Sequence, residues 1–246
     1  MSEGGKLQIE ERKMIPMGPR PKIYDAILVI GGGSPVVDGA PTAKIGGIWA
    51  QPNLGLSYLL AARHVIEAGH RDGRLNEIAL PAAYLQRHAF EVALKDIIDT
   101  ALVLKTDAEW LVALKADPEA PPSKRDDVPA KHDFQALLTA LRGALSAIDY
   151  GEPPTELVEM ADRLRATEGH EPTRLRYLSL RNGDRSFPDS VVLRVGETQD
   201  LLEGLFERVL AYQGHEVEQE NLVTSLAHEG MALDQAIQQI VPLDRL

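Results

Sequence analysis

A chain of 246 residues with 44% apolar, 26% charged and only 5% aromatic side chains is globular, and it is long enough to bury a core built mainly from Leu, Ala, Ile and Val. It contains no cysteine, which excludes a disulfide framework, a thiolate metal site and a cysteine nucleophile together. Its net charge of −11 argues against broad adhesion to nucleic acid, which needs local positive potential, while leaving room for a basic face.

Residues 1–22 read as a polar tail, without the apolar core of a secretory signal. No apolar run reaches the roughly 18 residues of a membrane span, so the expectation is a soluble, cytoplasmic protein. Residues 23–52 read as an irregular segment containing a strand. There "YDAILVIGGGSPVVDG" (24–39) suggests a dinucleotide-binding glycine loop, but Val36 stands where G-x-G-x-x-G requires its last glycine. Pro35 and the turn-forming Asp38-Gly39 occupy the place of the phosphate-binding helix, and no Gly-Lys-Ser/Thr follows for a P-loop. A strand ending in a turn remains the simpler reading.

Helical patterning begins at Asn53, a suitable N-cap for a helix over 54–68 with Leu56, Leu59, Leu60 and Ile66 on one side and Gly69 as its stop. Pro81 suits the first turn of a second helix running to Leu104. Thr106 and Glu109 have capping-box spacing, which predicts a separate short helix after them. The stretch "DPEAPPSKRDDVPAK" (117–131) holds four prolines and must be a loop. Then Phe134, Leu137, Leu138, Leu141, Leu145 and Ile148 make the clearest amphipathic stripe of the chain. A further helix over 155–167 turns Leu157, Met160, Ala161 and Leu164 inward.

From Arg174 to Val195 two short β-prone runs flank Asn182-Gly183, predicting a small hairpin. Its Arg174, Arg176 and Arg181 are candidates for a basic face, or are the outward side chains of an ordinary exposed hairpin. Thr198 or Asp200 opens another helix to about Tyr212, and the residues from 216 onward are helix-prone, thinly apolar and interrupted by Gly230. They can pack on the body or dock on a protein partner. The expected organisation is a mainly α chain: tail 1–22, irregular segment 23–52, helical bundle 53–167, and a hairpin plus C-terminal helices over 168–246 packed on the same body.

One helix poses a chemical question. In "ALPAAYLQRHAFEVALKDII" (79–98), Arg87, His88, Glu91 and Lys95 recur at spacings of three and four on a helix whose other faces are apolar. They form either a site or a structural ion-pair stripe. This stretch, followed from Lys131 by "KHDFQALLTAL", resembles bacterial members of the HEPN superfamily over about residues 54–148: Pro, aliphatic, Tyr-Leu, Arg-His-Ala, Phe-Glu and Leu-Lys, then His-Asp heading the next helix. The resemblance implies an all-helical bundle that dimerises and acts on RNA.

Catalytic members of that superfamily are metal-independent endoribonucleases of bacterial stress and defence systems. An Arg steadies the phosphate and a His acts in proton transfer as the 2′-hydroxyl attacks, leaving a cyclic phosphate. Other members serve as RNA-binding or partner-binding modules. Arg125 and His132 have the Arg–His spacing of the signature, with Asp126 as its polar follower. Arg63 with His70, Arg163 or Arg165 with His170, and Arg208 with His215 have the spacing too, so spacing alone selects none of them. The resulting candidates are His132, Arg125, Arg87 and His88 as catalytic residues, and Lys95, Arg174, Arg176 and Arg181 as RNA contacts. No metal or cofactor is expected. The alternative is a non-catalytic helical interaction module, homodimeric or bound to a regulatory partner, in which His132-Asp133 is only a helix start.

Overall fold

In a computed structural model of the protein, residues 36–37, 40–41, 53–168, 174–175, 183–210 and 221–241 are described. They form a mainly helical structure. A short antiparallel pair, β1 (Val36–Val37) and β2 (Ala40–Pro41), is in register Val36 to Pro41 and Val37 to Ala40. Six α-helices follow among the described residues: α1 (Leu54–Arg71), α2 (Leu75–Ala116), α3 (Phe134–Ala147), α4 (Thr155–Glu168), α5 (Val195–Leu205) and α6 (Leu222–Gln238).

Helix α1 starts where expected, with the Asn53 side chain accepting from the Leu56 N–H at 2.8 Å. It does not stop at Gly69. A Cβ there would lie 2.1 Å from Ile78 Cδ1, so Gly69 is a close-packing residue inside the helix. The chain turns at Gly73 instead, whose φ of +66° suits glycine. The buried face is also different from the one expected: Gly55, Leu59, Ala62 and Gly69 face inward, while Leu56 and Leu60 are 42% and 48% exposed. Glycines occupy the points of that face where neighbours approach most closely. A Cβ on Gly55 would sit 3.2 Å from the Ala89 carbonyl oxygen and from the Phe206 ring.

The two helices expected over 81–104 and after Thr106 are one continuous helix of 42 residues, about 63 Å long at 1.5 Å per residue. Pro81 stands in its second turn, near enough to the N-terminus for only one backbone bond to be lost. Thr106 caps nothing. Its hydroxyl donates to the Leu102 carbonyl one turn back at 2.8 Å, the bond a mid-helix threonine makes.

Helices α3 and α4 match the sequence closely. Asp133 caps α3 by accepting from the Ala136 N–H at 2.9 Å, and Phe134, Leu137, Leu138, Leu141 and Leu145 are buried. In α4 the buried positions include Leu157, Met160, Ala161 and Leu164. With Phe90, Leu94, Ile97, Ile98, Ala101 and Leu104 of α2 they make the main core, completed by Leu202 and Leu205 of α5 and Leu222, Val223 and Leu226 of α6. Thus α2 and α3 occupy the centre, as their wide apolar faces predict. A five-residue π-helical stretch, Phe206–Leu210, continues α5 and keeps Phe206, Val209 and Leu210 buried.

Helix α6 runs through Gly230, which is buried, and lies on α2. Near the C-terminal end of α2, Ile237 and Val241 meet Leu111 and Leu114. Of the hairpin expected around Asn182-Gly183, residues 176–182 lie outside the described residues, while 183–194 form turns and irregular chain with a single bridge residue at Arg185. Among the described residues no helix is long and apolar enough to cross a membrane.

Candidate polar site at the centre of the bundle

The stripe on α2 is a buried ion-pair network that reaches two other parts of the chain. Arg87 is completely buried, and each of its three guanidinium nitrogens has an acceptor. Nη1 donates to Glu91 Oε2, Nε donates to Glu168 Oε1 at the end of α4, and Nη2 donates to the backbone carbonyl of His132. The Phe134 ring lies beneath the guanidinium, 4.7 Å from Cζ to the ring centroid. Glu91 is as deeply buried as Arg87. Its second oxygen, Oε1, receives Lys95 Nζ at 2.8 Å and faces His132 Nδ1 at 2.6 Å.

Burial by itself would raise the Glu91 carboxyl. Hydrogen bonds from Lys95, His132 and Arg87 outweigh it and hold the group at about 2, against an ordinary 4.5. Glu91 is therefore ionised at neutral pH. Two cations, Arg87 and Lys95, stand against two carboxylates, Glu91 and Glu168, so the network balances its own charge. His132 is the exposed edge of this cluster: its side chain is 49% exposed, whereas that of Glu91 is only 2% exposed. What the arrangement offers chemically is one imidazole held by an ionised carboxylate on its inner side and open to solvent on its outer side.

The structure brings together only part of the sequence-derived set. Arg87, Lys95 and His132 meet. His88 points elsewhere, between Tyr58 (ring centroids 4.4 Å apart, edge-on) and Tyr84 (5.7 Å, stacked). Arg125 pairs with Asp99 at 3.2 Å, while His132 is anchored at Glu91. Those two anchor points are eight residues apart on α2, about 12 Å along its axis, so the pair with signature spacing does not share a site. Arg63 pairs with Glu203 and Arg163 with Glu197, and Arg174 lies over the Phe187 ring at 5.6 Å. Arg176 and Arg181 lie outside the described residues.

Three buried polar residues escaped sequence reasoning. Glu168 lies 81 residues from Arg87 in the chain; its one signal is that it continues the inward stripe of α4 one turn past Leu164, a place where an unpaired charge would be costly. Gln86 and Gln199 form a second buried polar link, with Gln86 Nε2 donating to the Val195 carbonyl at 2.7 Å and to Gln199 Oε1 at 3.0 Å. Nothing in their spacing announces it.

A separate titratable group lies toward the other end of α2. Burial, and then the charge of Asp234 on α6, push the Asp107 carboxyl up from 3.8 to about 6. A carboxyl with a raised folded-state value favours folding most when protonated. Its contribution is thus intact below pH 3.8 and lost as pH rises through 6, a loss of up to about 3 kcal/mol at neutral pH. Asp107→Asn is expected to stabilise the protein by about 1–3 kcal/mol at pH 7 and by nothing at pH 3.5, measured by urea unfolding at both values.

Among the described residues no three metal-ligating side chains converge. The chain finds no significant match among family models, curated proteins or solved structures.

Proposed function

We propose that this chain is a HEPN-like, RNA-directed helical protein, a metal-independent endoribonuclease of bacterial stress or defence, in which His132 is the acid–base group. One observation supports the reading above the others: His132 is the candidate that combines a half-exposed imidazole with a buried, ionised carboxylate bound to its Nδ1. Proton transfer with a 2′-hydroxyl needs that combination of access and orientation. In this reading Arg87 supports the site from within and leaves phosphate contact to other cations, because reaching a phosphate would break two buried ion pairs. Lys95, about one-quarter exposed, is the cation of the network nearest solvent. A homodimer would bring a second copy of His132 as the other proton-transfer group.

Purified protein incubated with mixed RNA in EDTA is expected to cleave it and leave 2′,3′-cyclic phosphate ends. His132→Ala should lower the rate by a factor of about 10²–10⁴ with the fold intact by circular dichroism, and Arg125→Ala should leave it unchanged. Intact RNA in every lane, or equal cleavage by the His132 variant, overturns the reading.

A second reading, the non-catalytic interaction module, is favoured by Leu56 and Leu60, which lie one turn apart and half-exposed on α1. In a homodimeric scaffold they would be covered. Sedimentation velocity should then give the mass of a dimer that falls to a monomer in Leu56→Lys/Leu60→Lys; a wild-type monomer counts against the homodimeric form.

A further inference from the structure

An ionised carboxylate has only lone pairs to offer, so any polar atom it faces closely must bring the proton. Glu91 is surrounded by donors. Arg87 takes Oε2, and Lys95 Nζ at 2.8 Å and His132 Nδ1 at 2.6 Å converge on Oε1. Of the other charged groups near the imidazole, Glu168 is bound by Arg87 and Asp133 caps the Ala136 N–H, while Lys131 is exposed. The His132 backbone is fixed as well, through its carbonyl on Arg87 Nη2.

We infer that Glu91 is a positioning residue that locks neutral His132 in the Nδ1–H tautomer and leaves Nε2 as a bare lone pair on the exposed side of the ring. An unconstrained neutral imidazole in water prefers the opposite tautomer, with its proton on Nε2, so the network reverses an intrinsic preference. The consequence is a defined direction for chemistry: Nε2 accepts a proton from a substrate hydroxyl, and Nδ1–H stays on Glu91, which stabilises the imidazolium that forms. Use of that lone pair on RNA rests on the function proposed above; the tautomer does not.

The test is two-bond ¹H–¹⁵N NMR on the full chain, uniformly labelled, at a pH where the His132 signal has stopped titrating, with His132→Gln identifying the resonance. The expected wild-type result is a proton on Nδ1. In Glu91→Gln the buried Arg87 keeps the amide oxygen, the amide NH₂ faces His132 and donates to Nδ1, and the proton moves to Nε2. In Lys95→Met, which leaves the Glu91–His132 contact in place, it stays on Nδ1. A wild-type His132 with its proton on Nε2 overturns the inference whether or not the glutamine variant folds. Run beside the RNA assay, the two ideas separate: an Nδ1–H histidine in a protein that leaves RNA intact sinks the ribonuclease reading alone, and RNA cleavage by a protein with an Nε2–H histidine sinks the positioning role alone.

Discussion

Arg87→Met is expected to destabilise the protein by about 3–5 kcal/mol, the largest effect of any single substitution in the polar network. Methionine fills much of the volume but leaves the Glu91 and Glu168 carboxylates inside the bundle without the cation that both contact, and leaves the His132 carbonyl without its donor. Against a typical total of roughly 5–15 kcal/mol, a loss of that size brings the fold near its limit. Urea unfolding should show the midpoint falling far below that of the control Arg165→Met. There a half-exposed arginine leaves Asp162, and the cost should stay under about 1 kcal/mol. Arg87→Met/Glu91→Leu/Glu168→Leu should recover much of the loss, because it removes the stranded charges together with their partner. If Arg87→Met costs less than about 1 kcal/mol, the buried network as described is wrong.

Glu91 provides the second large effect, and it depends on pH. Its carboxyl is held at about 2 instead of 4.5, a difference equivalent to about 3 kcal/mol. Because the folded-state value is depressed, that stabilisation is complete above pH 4.5 and is lost as pH falls through 2. The stability gap between wild type and Glu91→Gln should therefore be wide at pH 7 and narrower by about 3 kcal/mol at pH 2. Asp107 changes stability in the opposite direction with pH, but it is present in both proteins and lies 16 residues along α2, about 24 Å away, so it cancels from the difference. A gap of equal width at both pH values would mean that Glu91 is not ionised against its three partners.

The parts of the architecture readable in advance were those that depend on neighbours in the chain. Asn53 caps the helix it was expected to cap, and the helix expected to start at His132-Asp133 does start there, since a side-chain oxygen bonding to an N–H three residues on is a local interaction. The stripes of α3 and α4 came out at the right residues because 3.6-residue periodicity needs no knowledge of the partner. The errors on α1 and α2 have the opposite origin. Gly69 has the sequence signature of a helix stop, yet it is needed where Ile78 crosses, and Leu56 and Leu60 turn outward while Gly55 takes an inward position where Ala89 and Phe206 come too close for a side chain. At Thr106 a capping-box pattern is overridden by a hydrogen bond within a longer helix.

For the site, the sequence by itself determined the ladder Arg87, Glu91, Lys95, because residues four apart on a helix are neighbours whatever surrounds them. It also determined that a helix starts at His132-Asp133. Only the tertiary structure decided which other groups join that ladder. Packing of α3 on α2 puts His132 against Glu91, holds Arg125 near Asp99 instead, and seats His88 between two tyrosines. The end of α4 brings Glu168 to Arg87 across 81 residues of chain. Electrostatics and burial act through space with energies set by separation and solvent access, and neither quantity is a function of spacing along the chain.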